Sequence, residues 1–151
     1  YYYYSYKEST TPKTIADFIV TSIIMLTKVD ACVLRVYNSK NDTLNLLSSF
    51  GLARDWQGKS DIKYIGSLAE KAFVQKTSLK IIDLTKESKY QSKYLARKNN
   101  LSSLLLIPLV FKSKIVGSLS LYAGPNKKLE IFENEFIEKY AKLVEIIVAT
   151  L

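Results

Sequence analysis

The side chains able to do chemistry in this sequence are few, and their types exclude more than they offer. There is no histidine in 151 residues and a single cysteine, Cys32, set between Ala31 and Val33. Without histidine there is no Ser-His-Asp or Cys-His nucleophile, no histidine-ligated zinc and no haem held by an axial histidine. One thiol forms neither an internal disulfide nor a multi-cysteine metal site. In an apolar run such a thiol is expected to be buried and inert. What remains is Arg35, flanked by Leu34 and Val36, and a basic segment carrying Lys86, Lys89, Lys93, Arg97 and Lys98 against Glu87. That segment could favour an anionic ligand; the plainer expectation is an exposed, solvated helix.

Bulk properties narrow the class further. At 48% hydrophobic and 24% charged residues, the chain is expected to form one soluble globular domain with a real core. No apolar run approaches the ~18 residues that a bilayer span needs, and no cleavable leader pattern is visible. With one cysteine, these features point to the cytoplasm and to no membrane contact within this segment. The chain does not begin with Met and is expected to be a piece of a longer protein. Its net charge of +8 comes from scattered lysines rather than a basic face interleaved with aromatics, so no nucleic-acid partner is expected.

The elements that must position these residues centre on Leu101–Gly124. Ser102–Phe111 and Ile115–Tyr122 read as two strands of a hairpin. The first is apolar from Leu104 to Phe111 and so is expected to be covered on both faces. Pro108 has no N–H to donate and should meet a bulge or an unpaired side, and Gly117 should mark a close backbone approach. Residues 1–10, YYYYSYKEST, read as a linker or tail. Thr11 and Pro12 open a helix, and Ser67 caps another. Ala31–Tyr37 and Thr43–Phe50 form an early hairpin, Leu52–Ile65 a loop with a short helix, and Ser78–Leu84 a short strand. A terminal helix over 131–151 carries two apolar stripes, Phe136/Tyr140/Leu143/Ile147 and Ile137/Ala141/Val144/Val148.

Several segments together resemble a GAF domain. DACVLRVYNSKNDTLNLLSSFGL is similar to the family's first hairpin. IGSLAEKAFVQKTSLKIIDLTKESKY is similar to its helix, short strand and Asp-to-aromatic segment. NLSSLLLIPLVFKSKIVGSLSLYA resembles its last hairpin, with Ser103, Pro108 and Gly117 in place. The likeness runs from residue 11 to 151. It implies an α+β fold (GAF/PAS-like): a central antiparallel sheet with the N- and C-terminal helices on one face. A small-molecule pocket roofed by loops and short helices would occupy the other.

The resemblance further implies a non-catalytic sensory module of a larger signalling protein. The parent would be a kinase, a cyclic-nucleotide or cyclic-dinucleotide enzyme, or a transcription regulator, with an effector domain in the same chain. Pocket candidates on that layout are Phe50, Trp56, Tyr64, Asp83, Tyr90, Tyr94 and Ser103. Arg35 either lines the pocket or pairs with an acid such as Asp83 or Glu70, since a buried unpaired guanidinium is costly. The family commonly dimerises through its terminal helices, and Val20, Ile24, Ile137, Ala141, Val144 and Val148 are the expected homodimer contacts. No cofactor is expected: 52–100 holds no Cys or His to attach a bilin, and histidine-ligated haem is excluded. Catalytic relatives that reduce free methionine sulfoxide use several cysteines, which this chain lacks. Asn126-Lys127 and Phe132 partly match a motif of cyclic-nucleotide-binding members, but Glu133-Asn134 stand where its acidic pair would fall. The alternatives are a structural dimerisation module whose pocket is filled by its own side chains and, further off, a degenerate enzyme.

Overall fold

The computed structural model describes residues 11–52, 61–87, 93–127 and 135–151. Its elements are α1 (Pro12–Thr27), β1 (Ala31–Asn38), β2 (Thr43–Phe50), β3 (Asp61–Lys63), α2 (Leu68–Gln75) and β4 (Leu79–Ile81). A 3-10 turn (Leu84–Lys86), α3 (Lys93–Lys98), β5 (Ser103–Phe111), β6 (Lys114–Ala123) and α4 (Glu135–Thr150) complete them. One six-stranded sheet runs β3-β2-β1-β6-β5-β4, every neighbouring pair antiparallel.

Local chemistry sets the boundaries. Thr11 caps α1 by accepting from the Thr14 N–H at 3.2 Å, with Pro12 at the first helical position. Ser67 caps α2 from the Glu70 N–H at 3.1 Å, and Glu70 Oε1 reaches back to the Gly66 N–H at 3.0 Å. The β5–β6 hairpin closes through Lys112 and Ser113, both with positive φ (50° and 66°), the signature of a turn whose twist matches the strands. Pro108 lies past Leu106, the last β5 residue paired with β4, so its missing N–H costs no ladder bond on that edge. Gly117 carries the expected close approach, because an added Cβ would stand 2.3 Å from the Arg35 carbonyl oxygen.

Alternation along the strands divides the interior into two layers. Cys32, Leu34, Leu105, Ile107, Leu109, Leu119 and Leu121 face α1 and α4. Ala31, Val33, Leu44, Leu104, Leu106 and Tyr122 face α2 and the segments around Leu84, Ala96 and Leu101. β5 is therefore covered on both faces, as its unbroken apolar run requires.

Some elements differ from the sequence reading. β3, three residues with polar Asp61 and Lys63 at its ends, carries no periodic signal and forms by pairing with Thr43–Asn45. β4 is only Leu79–Ile81, because Asp83 takes up its own cap, accepting from the Thr85 N–H at 3.0 Å and starting the 3-10 turn. No helix among the described residues is long and apolar enough to cross a membrane.

The expected dimer contacts need correction. Val20, Ile137, Ala141, Val144 and Val148 are 0–3% exposed and pack on the sheet, and Ile24 is partly buried against the same cluster. The other stripe is split: Tyr140 and Ile147 are partly buried against the same cluster, while Phe136 and Leu143 are 40% and 51% exposed and, with Ile146 (52%) and with Phe18 and Met25 of α1 (72% and 67%), form the outward apolar surface. Both α4 stripes are apolar at helical spacing, so period alone does not rank them. The one with the smaller side chains lets the helix sit close to the sheet.

α1 is also tied to β2 through Asp17, which accepts from the Ser48 hydroxyl and from Lys13 Nζ at 3.0 Å. The Ser48 hydrogen bond chiefly, with Lys13, lowers the carboxyl below its usual range against the opposing effect of burial. A depressed folded-state pKa contributes stability that is present above the unfolded value and is lost as pH falls through the folded one. Asp17→Asn is therefore expected to be slightly less stable than the parent at neutral pH and to converge with it in acid. Urea unfolding across the carboxylate range measures this.

Candidate functional site

The sheet face turned away from α1 and α4 is mostly apolar, and its polar exceptions are concentrated at the middle. On β1, Arg35 follows Ala31 and Val33 on this face. On β6, Ser118 and Ser120 precede Tyr122. The register sets Arg35 opposite Ser118 and Val33 opposite Ser120. Arg35, Ser118 and Ser120 are 6%, 2% and 7% exposed. Leu46 on β2 and Pro108 and Leu106 on β5 extend the same rows outward. A cation and two hydroxyls thus sit in an apolar floor across the two central strands.

A one-residue register slip in the β1–β2 ladder shapes this site. Leu34 pairs with Ser48 but Arg35 with Leu46, which leaves Leu47 without a β1 partner. The bulge lets Ser48 serve the helical layer while Leu46 and Leu44 turn to the opposite one. At the far end of the face, the rings of Tyr37 and Tyr64 meet edge-on, centroids 5.2 Å apart. Tyr37 Oη donates to Asp42 Oδ1 at 2.6 Å. That bond, with burial, raises the Tyr37 hydroxyl above its usual range; Tyr64 is raised mainly by burial, with Glu70 adding to it. Both phenols stay protonated at neutral pH and act as neutral hydrogen-bonding groups.

The sequence candidates scatter. Arg35 and Tyr64 belong to the apolar-floored face. Ser103 lies opposite, in register with Ala123 of the helical layer, and donates to the Ala123 carbonyl at 3.3 Å. Phe50 pairs with Cys32, also on the helical side, and is 47% exposed. Asp83 accepts from the Thr85 N–H and hydroxyl, and its other oxygen is 4.0 Å from Lys86 Nζ. Tyr94 is 72% exposed on α3. Trp56 and Tyr90 lie outside the described residues. Glu70 is engaged at the α2 cap. Sequence reasoning missed Ser118 and Ser120, although the alternation in Gly117-Ser118-Leu119-Ser120-Leu121-Tyr122 separates a small polar row from a leucine row.

Nothing in the described residues favours metal or thiol chemistry. No group of three or more His, Cys, Asp or Glu among them could hold a metal ion. Cys32 is wholly buried, and desolvation pushes its thiol far above the ordinary range, away from the reactive thiolate. A groove of about 830 Å³ lies at the β5 edge, where α4 and the end of α2 flank Pro108 and Val110. Its lysines and glutamates are mixed, Pro108 has no N–H, and Glu145 takes the Val110 N–H, so this edge is blunted against strand pairing.

Comparison with known proteins is consistent across the chain. The GAF domain family model matches residues 11–148. The fold is similar to the GAF domain of a phosphoenolpyruvate-protein phosphotransferase from Coxiella burnetii, with TM-score 0.76, 16% identity, 94% of this chain and 84% of that one covered. It is similar to a GAF domain/HD domain protein from Geobacter sulfurreducens, with TM-score 0.74, 13% identity, and 93% and 94% covered. It also resembles a type II free methionine-R-sulfoxide reductase from Thermoplasma acidophilum, with TM-score 0.72, 14% identity, and 91% and 92% covered. No curated protein sequence matches the chain.

Proposed function

The chain belongs to the GAF domain family, and on that premise we propose that it is a non-catalytic, cytoplasmic sensory domain of a larger signalling protein. It binds a small molecule on the sheet face that carries Arg35, Ser118 and Ser120, and it signals as a homodimer through its terminal helices. The effector in the parent chain is a kinase, a cyclic-nucleotide or cyclic-dinucleotide enzyme, or a transcription regulator. Neither nucleic acid nor membrane is a partner of this segment.

One observation carries the reading: buried polar side chains on the central strands of a floor that is otherwise apolar. Pure packing has no use for a guanidinium and two hydroxyls there, whereas a ligand pocket is apolar with a few placed polar groups. The absence of a resolving partner for the buried Cys32 argues against the reductase chemistry named for one structural neighbour. The buried Tyr64 and Tyr122 favour the second reading, a dimerisation module whose pocket is filled from within.

Ligand occupancy would bias a two-state dimer. Asp30, in the turn between α1 and β1, accepts from the Gly124 N–H at 2.7 Å and from Lys127 Nζ at 3.1 Å. It thereby clamps the end of α1 to the end of β6, so a shift of β6 under the ligand would reach the helical layer. The outward stripe of α4 supplies the contact between copies. Leu143→Glu combined with Ile146→Glu, both about half exposed, is expected to give a folded monomer by light scattering, with the parent's circular dichroism. A dimer unchanged by both substitutions would overturn the helical interface.

A further inference from the structure

We propose that the ligand of this face carries an oxyanion, a carboxylate or a phosphate, held between the Arg35 guanidinium and the Ser118 and Ser120 hydroxyls. The proposal rests on the sensor reading above and names its ligand class. The three groups form one compact set: Arg35 is directly opposite Ser118, and Ser120 is the next residue of β6 on the same face. Directly opposed and diagonal neighbours on one sheet face stand roughly 5–8 Å apart, within reach of a single small anionic group.

The state of the hydroxyls supplies the argument. Ser118 and Ser120 are more than nine-tenths buried. Neither side chain forms a hydrogen bond among the described residues, while Ser103, Ser48 and Ser67 all do. Yet no fully enclosed side-chain nitrogen or oxygen lacks a partner among the described residues. The two hydroxyl oxygens therefore each keep a small accessible surface, and no described residue takes up their donor capacity. Hydroxyls alone would serve a neutral sugar equally well. The guanidinium decides the class, because it is permanently charged and has several N–H donors, so a contact within the protein does not exhaust it. A buried guanidinium, with more N–H donors than one contact uses, beside two hydroxyls with donor capacity left selects an oxyanion over its neutral analogue.

Matched probes test this by calorimetry and thermal unfolding on the purified domain: glycerol 3-phosphate against glycerol, and pyruvate against its methyl ester. One charged member is expected to bind and raise the unfolding midpoint while its neutral counterpart does not, and which one responds separates phosphate from carboxylate. Ser118→Ala/Ser120→Ala should leave the unliganded midpoint unchanged and weaken binding by about tenfold or more. Arg35→Gln should abolish binding, and Arg35→Lys should restore part of it. Equal response to charged and neutral members, no response to either charged probe, or binding unaffected by the serine substitutions would each overturn the oxyanion assignment. Failure of the sensor reading itself would register differently, as a protein that never carries a releasable small molecule.

Discussion

Replacing Gly117 by alanine is expected to cost about 3 kcal/mol of stability and to lower the unfolding midpoint by about 9 °C. The new Cβ would stand 2.3 Å from the Arg35 carbonyl oxygen, with Arg35 C and Val36 Cα at 3.4 Å. Those atoms are backbone, so no side chain can swing aside. Relief requires β1 and β6 to separate where they pair Arg35 with Ser118 and Val36 with Gly117. That is the middle of the sheet and the floor of the proposed site, so binding should fall along with stability. Urea titration with an unchanged slope and a lower midpoint would show the loss as one of stability alone. An alanine variant as stable as the parent would mean that the close approach of these two strands does not exist.

Truncation of Leu119 to alanine should cost roughly 3–4 kcal/mol. Leu119 is 0% exposed and lies between Leu34 on β1 and Ile107 on β5, both buried in the same layer. The hole would be walled by strands and by two helices, which limits how far the surroundings can collapse into it. Leu143→Ala on the outward stripe, where the side chain is 51% exposed, should change monomer stability by less than about 0.5 kcal/mol. Chemical unfolding of both variants compares them directly. Similar losses would mean that the inward and outward assignments of the helical layer are wrong.

What could be read in the sequence is what local chemistry determines. The Thr11 and Ser67 caps depend on residues within one turn, and the β5–β6 hairpin on an apolar run interrupted at Lys112-Ser113. The demands of Pro108 and Gly117 follow from a missing N–H and a missing Cβ. All of these reappear in the structure, together with the α+β layout that the resemblance implied. The paired stripes of α4 resisted ranking because Ile137/Ala141/Val144/Val148 and Phe136/Tyr140/Leu143/Ile147 have the same period. Only contact with the sheet separates them. β3 was invisible because three residues with charged ends have no pattern until Thr43–Asn45 supplies hydrogen-bonding partners.

The candidate site was legible in part. Arg35 stood out as a charge within an apolar strand, and Tyr64 fell on the expected face. Ser103 and Phe50 did not, because a strand residue's face depends on register and parity. Both of these residues pair with members of the helical layer, Ala123 and Cys32. Ser118 and Ser120 were overlooked although their spacing of two residues with leucines between them places them on one face. Small hydroxyl residues in a strand attract little notice without knowledge of which neighbour carries the charge.

On the reading proposed above, the Arg35–Ser118–Ser120 face holds a small molecule in a dimeric domain. Native mass spectrometry of the protein as purified, set against its denatured mass, tests it most directly. The predicted result is a dimer bearing an extra mass that is released on denaturation and is missing from Ser118→Ala/Ser120→Ala. A bare monomer, or an extra mass retained undiminished by that variant, would contradict it.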